Sequence, residues 1–249
     1  MIYVCIASRN NAKTVGLLLW KIKKVLADRL RDYHLIISDD CSTDSTSHAL
    51  EPYEKALPLT VFRQEMERGT AWNTEFMLRE ALKRSDRHKR DLAITIPADF
   101  RVSPAVIPEM IRRFESGADV LVGEIGYKEL SLSGRLTCRL VPWLLRPGVR
   151  VPGIRDFTSG CVGFRLITLK HCFSSAEGSL LLTEGLSARA ELLARAAAVA
   201  RQIIAIPLEP GPAGSPQDSS SGLSTVMELF RAGRKLAIPL PEAEVKRIS

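Results

Sequence analysis

The chain has 249 residues, 45% of them hydrophobic and 25% charged, a balance typical of one folded α/β domain and not of a disordered chain. The net charge of +7 suits an anionic partner, but the arginines are spread along predicted helices, so we expect most to be solvated and no nucleic acid to bind. Five scattered cysteines without a C-x-x-C pair argue against a zinc site or a disulfide framework. Because the first residues lack a secretory pattern and no apolar run reaches roughly 20 residues, we expect a cytoplasmic protein that at most contacts the inner face of the membrane.

Short apolar runs alternate with helical patterns in the first half of the chain. Strands are predicted at 2–7, 34–38, 59–63, 92–97 and 119–123, and helices at 11–29, 44–56, 70–84 and 104–116. This order predicts a mostly parallel, Rossmann-like sheet flanked by helices. Ligands of such sheets bind at the carboxyl ends of the strands.

The second half is less regular, and we treat it as part of the same domain, which extends over residues 1–249. The patterns predict a basic amphipathic helix at 133–147, a strand at 162–169, a helix at 183–200, a strand at 202–208, a loop at 209–222 and a short helix at 223–236.

Acidic residues follow two of the predicted strands. Asp39 and Asp40 come directly after LIIS, and Asp99 comes after LAITIPA. Burying a charge is costly unless the charge is used or paired. Because the strand ends of a parallel sheet form one crevice, these carboxylates are expected to face the same pocket. The competing interpretation is that the DDCSTDST segment only caps a helix, and we favour that interpretation for Asp44 and Ser45.

Several short motifs in order resemble family 2 glycosyltransferases, in particular the dolichol-phosphate mannose synthase-like branch. The motifs are IASRNN at 6–11, SDDCSTDST at 38–46, Gly69 within ERGTAWN, Pro97–Asp99 (PAD) and DFTSG at 156–160. The resemblance implies a GT-A fold, with a nucleotide-sugar-binding half at 1–124, an acceptor-binding half at 125–208, and a C-terminal helix and tail at 223–249.

The same resemblance implies a set of donor-binding residues. They are Ala7, Ser8, Arg9, Asn11, Asp39, Asp40, Gly69, Ala98, Asp99 and Arg101. Asp40 would accept a hydrogen bond from the base. Arg9 stands where the family has Tyr, and its planar guanidinium could stack on the base instead.

The predicted metal ligand is Asp99, in a variant of the family's Asp-x-Asp motif. The resemblance implies a divalent cation, Mg²⁺ or Mn²⁺, at the diphosphate. However, the first Asp is replaced by Pro97, and Arg101 stands where the polyprenyl-phosphate branch has a metal-binding Gln. One hypothesis is that Arg101 neutralises the diphosphate directly. The other is that Asp99 and Arg101 form a surface salt bridge while the metal is held elsewhere.

The acceptor side offers several candidates. Asp156 is the first candidate for a catalytic base, Glu184 the second and Glu191 the third, although both glutamates also fit ordinary helix-surface positions. Arg165 is a candidate for gripping a phosphate on the donor or the acceptor. Ser159 and Gly160 are expected to contact the acceptor.

These features predict an inverting glycosyltransferase that uses a UDP- or GDP-linked sugar. The acceptor is either a polyprenyl phosphate, which a basic segment at 133–150 resting on the bilayer would favour, or a small soluble compound. A nucleotidyltransferase would need a glycine-rich loop that SRNNAKT lacks. The remaining alternative is a degenerate module that binds a nucleotide or a partner protein without turnover.

Overall fold

The structure is a computed structural model that describes residues 1–27, 31–125, 154, 156, 159–176, 178–209, 236 and 244–247. Its strands are β1 (Ile2–Ser8), β2 (Tyr33–Asp39), β3 (Leu59–Arg63), β4 (Leu92–Thr95), β5 (Val120–Ile125), β6 (Val162–Arg165), β7 (Gln202–Leu208) and β8 (Glu244–Arg247). Its helices are α1 (Val15–Leu26), α2 (Thr46–Ala56), α3 (Thr70–Arg84), α4 (Ile107–Glu115), α5 (Leu166–Ser174) and α6 (Gly185–Val199), with a 3₁₀ turn at Pro104–Val106 before α4.

The strands form one sheet in the order β3-β2-β1-β4-β6-β5-β7-β8. Strand β6 runs antiparallel to both β4 and β5, whereas the other neighbours are parallel. The expected mostly parallel sheet is therefore confirmed. The reversed direction of β6 was not predicted, and it decides where the residues of that strand lie.

Two apolar cores cover the two faces of the sheet. Along β1, Tyr3 and Cys5 belong to one core, while Ile2, Val4 and Ile6 belong to the other. Such alternation is expected of a strand buried on both faces. Helices α1, α2 and α4 pack on the second of these cores, and α3, α5 and α6 pack on the first.

One predicted element is partly wrong. The strand expected at 162–169 ends at Arg165, and the chain continues as helix α5. The backbone N–H groups of Leu166 and Ile167 donate to the carbonyls of Asp91 (3.0 Å) and His88 (2.9 Å), which turns the chain off the sheet at that edge. Leu166, Leu169 and Cys172 then share one buried helix face.

Other predictions lie largely outside the described residues. These are the helix at 133–147, almost all of the loop at 209–222 and the helix at 223–236. Strand β8 lies in the region expected to be a C-terminal tail. Within the part of the chain that the structure describes, no helix has the length and apolar character needed to cross a membrane.

Candidate functional site

A cavity of about 310 Å³ opens at the carboxyl ends of β1, β2 and β4. Asp40 and Asp99 both line it, although they follow strands on opposite sides of β1. The expected convergence of these two acids on one cavity is therefore present in the structure. The predicted site residues that line the cavity are Ala7, Ser8, Arg9, Asn11, Asp40, Gly69, Ala98, Asp99 and Gly160.

Asp40 joins the end of β2 to the start of α3. Its Oδ1 accepts a hydrogen bond from the N–H of Arg68 (2.7 Å) and its Oδ2 from the N–H of Gly69 (3.0 Å). Gly69 has φ = +88°, a conformation that a side chain disfavours, so glycine allows the chain to enter the helix directly under the carboxylate. An ionised carboxylate offers about four acceptor positions, so Asp40 retains capacity for a ligand N–H.

Asp39 has a different role from the expected one. It is buried and does not line the cavity. Its Oδ1 accepts from the hydroxyl of Ser42 and its Oδ2 from the hydroxyl of Ser47 (3.0 Å). The expectation that Asp39 contacts the donor is thus corrected, because its carboxylate holds the turn between β2 and α2.

The loop after β1 is fixed by its own side chains. Asn11 Oδ1 accepts from the N–H of Arg9 (3.0 Å) and the hydroxyl of Ser8 (3.3 Å), while the N–H of Asn11 donates to Thr46 Oγ1 (2.8 Å). The Arg9 guanidinium forms an ion pair with Glu67, and about half of each side chain is exposed. Stacking of Arg9 on a base would require this exposed pair to open.

Asp99 is paired with the arginine that follows it. Its Oδ1 accepts from the N–H of Arg101 (3.1 Å), and its Oδ2 accepts from the Arg101 guanidinium. The salt bridge of the second hypothesis is therefore present. Arg101 itself does not line the cavity, in contrast to the expectation that it contacts the donor.

The metal expected from the resemblance can be tested against this donor set. A hard divalent cation takes about six oxygen ligands, and carboxylates are the preferred ones. Among the described residues, no group of three or more His, Cys, Asp or Glu converges on one point. Asp99, the predicted ligand, already accepts from a guanidinium on one oxygen and from the main chain on the other. The described residues thus offer a divalent cation one carboxylate at this point, already paired with a guanidinium, and no set of three protein ligands.

Arg189 of α6 is a lining residue that the sequence did not reveal. A Cβ built on Gly160 would lie 3.2 Å from Cζ of Arg189 and 3.2 Å from Cγ of Pro97, so the guanidinium lies over Gly160 beside the proline ring. Burial lowers the pKa of Arg189 and the charge of Arg101 lowers it further, whereas Asp99 and Asp156 act in the opposite direction. In the sequence, Arg189 looks like any other arginine of an Ala-rich helix.

The family model described as "Glycosyl transferase family 2" matches residues 3–173. The chain belongs to this family. A curated relative, dolichol-phosphate mannosyltransferase of Pyrococcus furiosus, is 26% identical over 92 residues, which cover 37% of this chain. The match covers 24% of that relative, so this chain spans about a quarter of its length.

Solved structures similar to this member of the family confirm the GT-A fold. Glucosyl-3-phosphoglycerate synthase of Mycobacterium tuberculosis, in complex with Mn²⁺, UDP-glucose and phosphoglyceric acid, has a TM-score of 0.63 at 16% identity, over 95% of this chain and 80% of that one. Mannosyltransferase PcManGT of Pyrobaculum calidifontis, with GDP-Man and Mn²⁺, has a TM-score of 0.56 at 16% identity, over 83% and 54%. S. aureus TarS has a TM-score of 0.54 at 17% identity, over 83% of this chain and 35% of that one.

Glu184 lies at the edge of the cavity and does not itself line it. It is the residue before α6, it is exposed, and its Oε2 accepts from the N–H of Ala71 (3.2 Å) at the start of α3. A Cβ on Gly69 would lie 2.9 Å from its Oε1. Gly69, which Glu184 contacts, and Gly185, which follows it in the sequence, both line the cavity.

Two buried carboxylates hold the segment that leads to Glu184. Glu75 accepts from the N–H groups of Leu180 (2.9 Å to Oε2) and Leu181 (3.0 Å). Glu191 accepts from the N–H of Leu182 (3.0 Å), and it also pairs with Arg195, as its spacing predicts. The helix-surface position considered for Glu191 is wrong, because the residue is 0% exposed.

Asp156 and Ser159 are buried beside the cavity and do not line it. Asp156 Oδ2 accepts from the N–H of Ile125 (3.0 Å), and the Ser159 hydroxyl donates to the carbonyl of Gly123 (2.6 Å). These hydrogen bonds tie Asp156 and Ser159 to β5. Gly160, which follows them with φ = +69°, lines the cavity.

Arg165 lies at the opposite edge of the sheet, so its assignment as a catalytic residue is wrong. Because β6 is antiparallel to β4, Arg165 pairs with Leu92 at the amino end of β4, not with its carboxyl end. Its Nε donates to Asp119 Oδ1 (2.9 Å), and its Nη2 donates to the carbonyls of Phe114 (2.9 Å), in the last turn of α4, and Ala118 (2.8 Å), just after that helix. A cation at this position stabilises the C-terminus of the helix.

Proposed function

We propose that this chain transfers a sugar from a UDP- or GDP-linked donor to an acceptor with inversion at the anomeric carbon. The observation that carries the proposal is the convergence of Asp40 and Asp99 on one cavity, at the edge of the sheet where α/β proteins bind ligands. Two similar structures hold UDP-glucose and GDP-Man, which supports a nucleoside diphosphate sugar as the ligand class.

In this proposal the base lies towards Asp40 and the diphosphate lies towards Asp99. Asp40 has acceptor capacity for a base N–H, and Ala7, Arg9 and Asn11 line the same side of the cavity. The guanidinium of Arg9 would leave Glu67 to stack on the base. The cost is small because an exposed ion pair is worth about 0 to 1 kcal/mol.

We propose Glu184 as the general base for a hydroxyl acceptor, ahead of Asp156. Glu184 is exposed at the cavity rim, where an acceptor can reach its carboxylate. Asp156, in contrast, is buried and does not line the cavity. Gly160 would contact the acceptor, while Ser159 would act only through the position of Gly160.

The acceptor is either a small hydroxyl compound or a polyprenyl phosphate, and a Glu184→Gln variant separates the two. A hydroxyl must lose its proton to a base, whereas a phosphate oxygen is already ionised. Transfer to a hydroxyl should therefore fall roughly 100-fold or more in the variant. Transfer to dolichyl or undecaprenyl phosphate should change little. Equal transfer to a hydroxyl acceptor by wild type and variant would remove Glu184 as the base.

Binding of nucleotides tests the proposal as a whole. Calorimetry with UDP, GDP, CDP and ADP should find a preferred ligand, and Asp40→Asn should weaken it by roughly 10- to 100-fold. Asp86→Asn is the matched control, because Asp86 is exposed and does not line the cavity. No binding of any nucleotide would overturn the proposal. Binding without hydrolysis or transfer of the matching sugar nucleotide would support the non-catalytic module instead.

A further inference from the structure

Among the described residues, the carboxylate nearest to Pro97 and Gly160 in the cavity is that of Asp99, and it is paired with a cation. Asp99 is neutralised by Arg101, and the ring of Pro97 occupies the neighbouring position. A sugar diphosphate nevertheless carries about two negative charges, and its leaving group gains another as the glycosidic bond breaks. This charge needs a positive partner in the cavity.

Among the described residues that line the cavity, the cationic side chains are Arg9 and Arg189. Arg9 lies at the mouth and is paired with Glu67, which also lines the cavity. Arg189 comes from the opposite side, from the first turns of α6, and its guanidinium lies over Gly160 beside Pro97. It thus occupies the space next to the position where a ligand carboxylate is missing.

The surroundings of Arg189 favour an anion. The residue is close enough to Arg101 for the two positive charges to repel, and burial removes part of the water that would stabilise its charge. Burial and Arg101 lower the pKa of Arg189 in spite of the opposite action of Asp99 and Asp156, so an anion bound in the cavity would stabilise the cation further. Gly160 has no side chain, which lets the guanidinium approach the main chain at this point.

We propose that Arg189 binds the diphosphate of the donor and neutralises it as it leaves, in place of a protein-held divalent cation. In the transfer step, the acceptor oxygen bonds to the anomeric carbon while the bond from that carbon to the β-phosphate oxygen breaks. The electron pair stays on the phosphate oxygen, and the proton of a hydroxyl acceptor passes to Glu184. The fork of the guanidinium donates two parallel hydrogen bonds to the phosphate oxygens. This inference rests on the proposed nucleotide-sugar function.

The first test uses the unmodified protein. With the preferred nucleoside diphosphate from the calorimetric panel, binding in EDTA should be within about 3-fold of binding in Mn²⁺, because the protein's own cation supplies the charge. The diphosphate should also bind roughly 10-fold or more tightly than the matching monophosphate in EDTA. Loss of diphosphate binding in EDTA, with recovery in Mn²⁺, would overturn the inference and leave the proposed function standing.

The second test removes the guanidinium. In Arg189→Met, affinity for the diphosphate should fall roughly 10- to 100-fold while affinity for the monophosphate stays within about 2-fold, which also shows that the variant is folded. Arg189→Gln serves the same purpose if the Met variant does not fold. Arg112→Met is the matched control, since Arg112 is an exposed arginine on α4 outside the cavity.

The outcomes separate the inference from the function on which it rests. Unchanged diphosphate affinity in a folded Arg189 variant, with weakened binding in Asp40→Asn, would refute the role of Arg189 alone. Absence of nucleotide binding in the wild-type protein would refute both. A parallel loss of monophosphate and diphosphate affinity in both Arg189 variants would indicate a purely structural role and would also overturn the inference.

Discussion

The two edges of the sheet carry the same kinds of residues and use them differently. At the carboxyl edge, Asp40 and Asp99 line a cavity together with two arginines. At the amino edge, Asp119 is 4% exposed and accepts from Arg165 and Arg201. Burial acts to raise the pKa of Asp119, but the hydrogen bonds and charges of Arg201 and the charge of Arg165 outweigh it and lower the pKa.

The role of an aspartate or arginine at the end of a strand therefore cannot be assigned until it is known at which edge of the sheet the residue lies. An acid closed in by cations stabilises the fold, whereas an acid beside an open cavity can bind a ligand. Substitutions at the amino edge should therefore change stability and leave nucleotide binding intact. Substitutions of the acids that line the cavity should change nucleotide binding more than they change stability.

The largest expected effect on stability is that of Asp119→Ala. The change leaves the mostly buried Arg165 without its carboxylate, so the free energy of unfolding should fall by about 3 to 5 kcal/mol. Urea unfolding at pH 7 measures this loss, and calorimetry below the transition should find unchanged nucleotide affinity. Weakened nucleotide binding at full stability would break the comparison between the edges.

Gly69→Ala should have a smaller effect on stability and a larger one on transfer. The added Cβ strains a residue at φ = +88° and would lie 2.9 Å from Glu184 Oε1, so we expect a loss of about 2 kcal/mol and displacement of the proposed base. Gly178→Ala is the matched control, because its φ is +90° and a Cβ there meets nothing within 4 Å. The control should lose about 1 kcal/mol and keep transfer. Equal transfer by both variants would argue against a base at Glu184.

Glu75→Gln tests the buried carboxylate that holds the 180–181 segment. Burial acts to raise the pKa of Glu75, but hydrogen bonds from Leu180, Leu181, Arg79 and Ser179 lower it below the ordinary value of 4.5. A lowered pKa stabilises the fold above pH 4.5, and the contribution is lost as the pH falls through the folded-state pKa. The variant should be about 1 to 2 kcal/mol less stable at pH 7 and converge with wild type in acid. A constant difference in unfolding free energy from pH 7 to pH 3 would contradict this prediction.

Arg112→Met should have the smallest effect. Its guanidinium is two-thirds exposed and pairs with Glu109 at the helix surface, where such pairs contribute about 0 to 0.5 kcal/mol. Thermal unfolding should place the variant within about 2 °C of wild type. A larger drop would mean that exposed arginines of this basic chain contribute more to stability than surface ion pairs ordinarily do.

The alternation of apolar strands and amphipathic helices predicted a mostly parallel sheet flanked by helices, and the positions of the acids predicted the cavity. The GT-A fold was implied by the resemblance of the motifs to family 2 glycosyltransferases. The predictions of the sheet and of the cavity depend on local periodicity and on the rule that parallel strands end at one edge, so Asp40 and Asp99 could be predicted together. The pairing of Glu191 with Arg195 could also be predicted from the sequence, because side chains at i and i+4 lie next to each other on any helix.

Only the tertiary structure decided the direction of β6 and the approach of α6 to the cavity. A four-residue strand has the same pattern in either direction, so Arg165 could equally have faced the cavity or the far edge. Arg189 lines the cavity beside Gly160, and Glu184 lies against Gly69 at its edge, and both glycines are distant from these residues in sequence. Such long-range contacts depend on how whole elements pack, and no local pattern of residues encodes them.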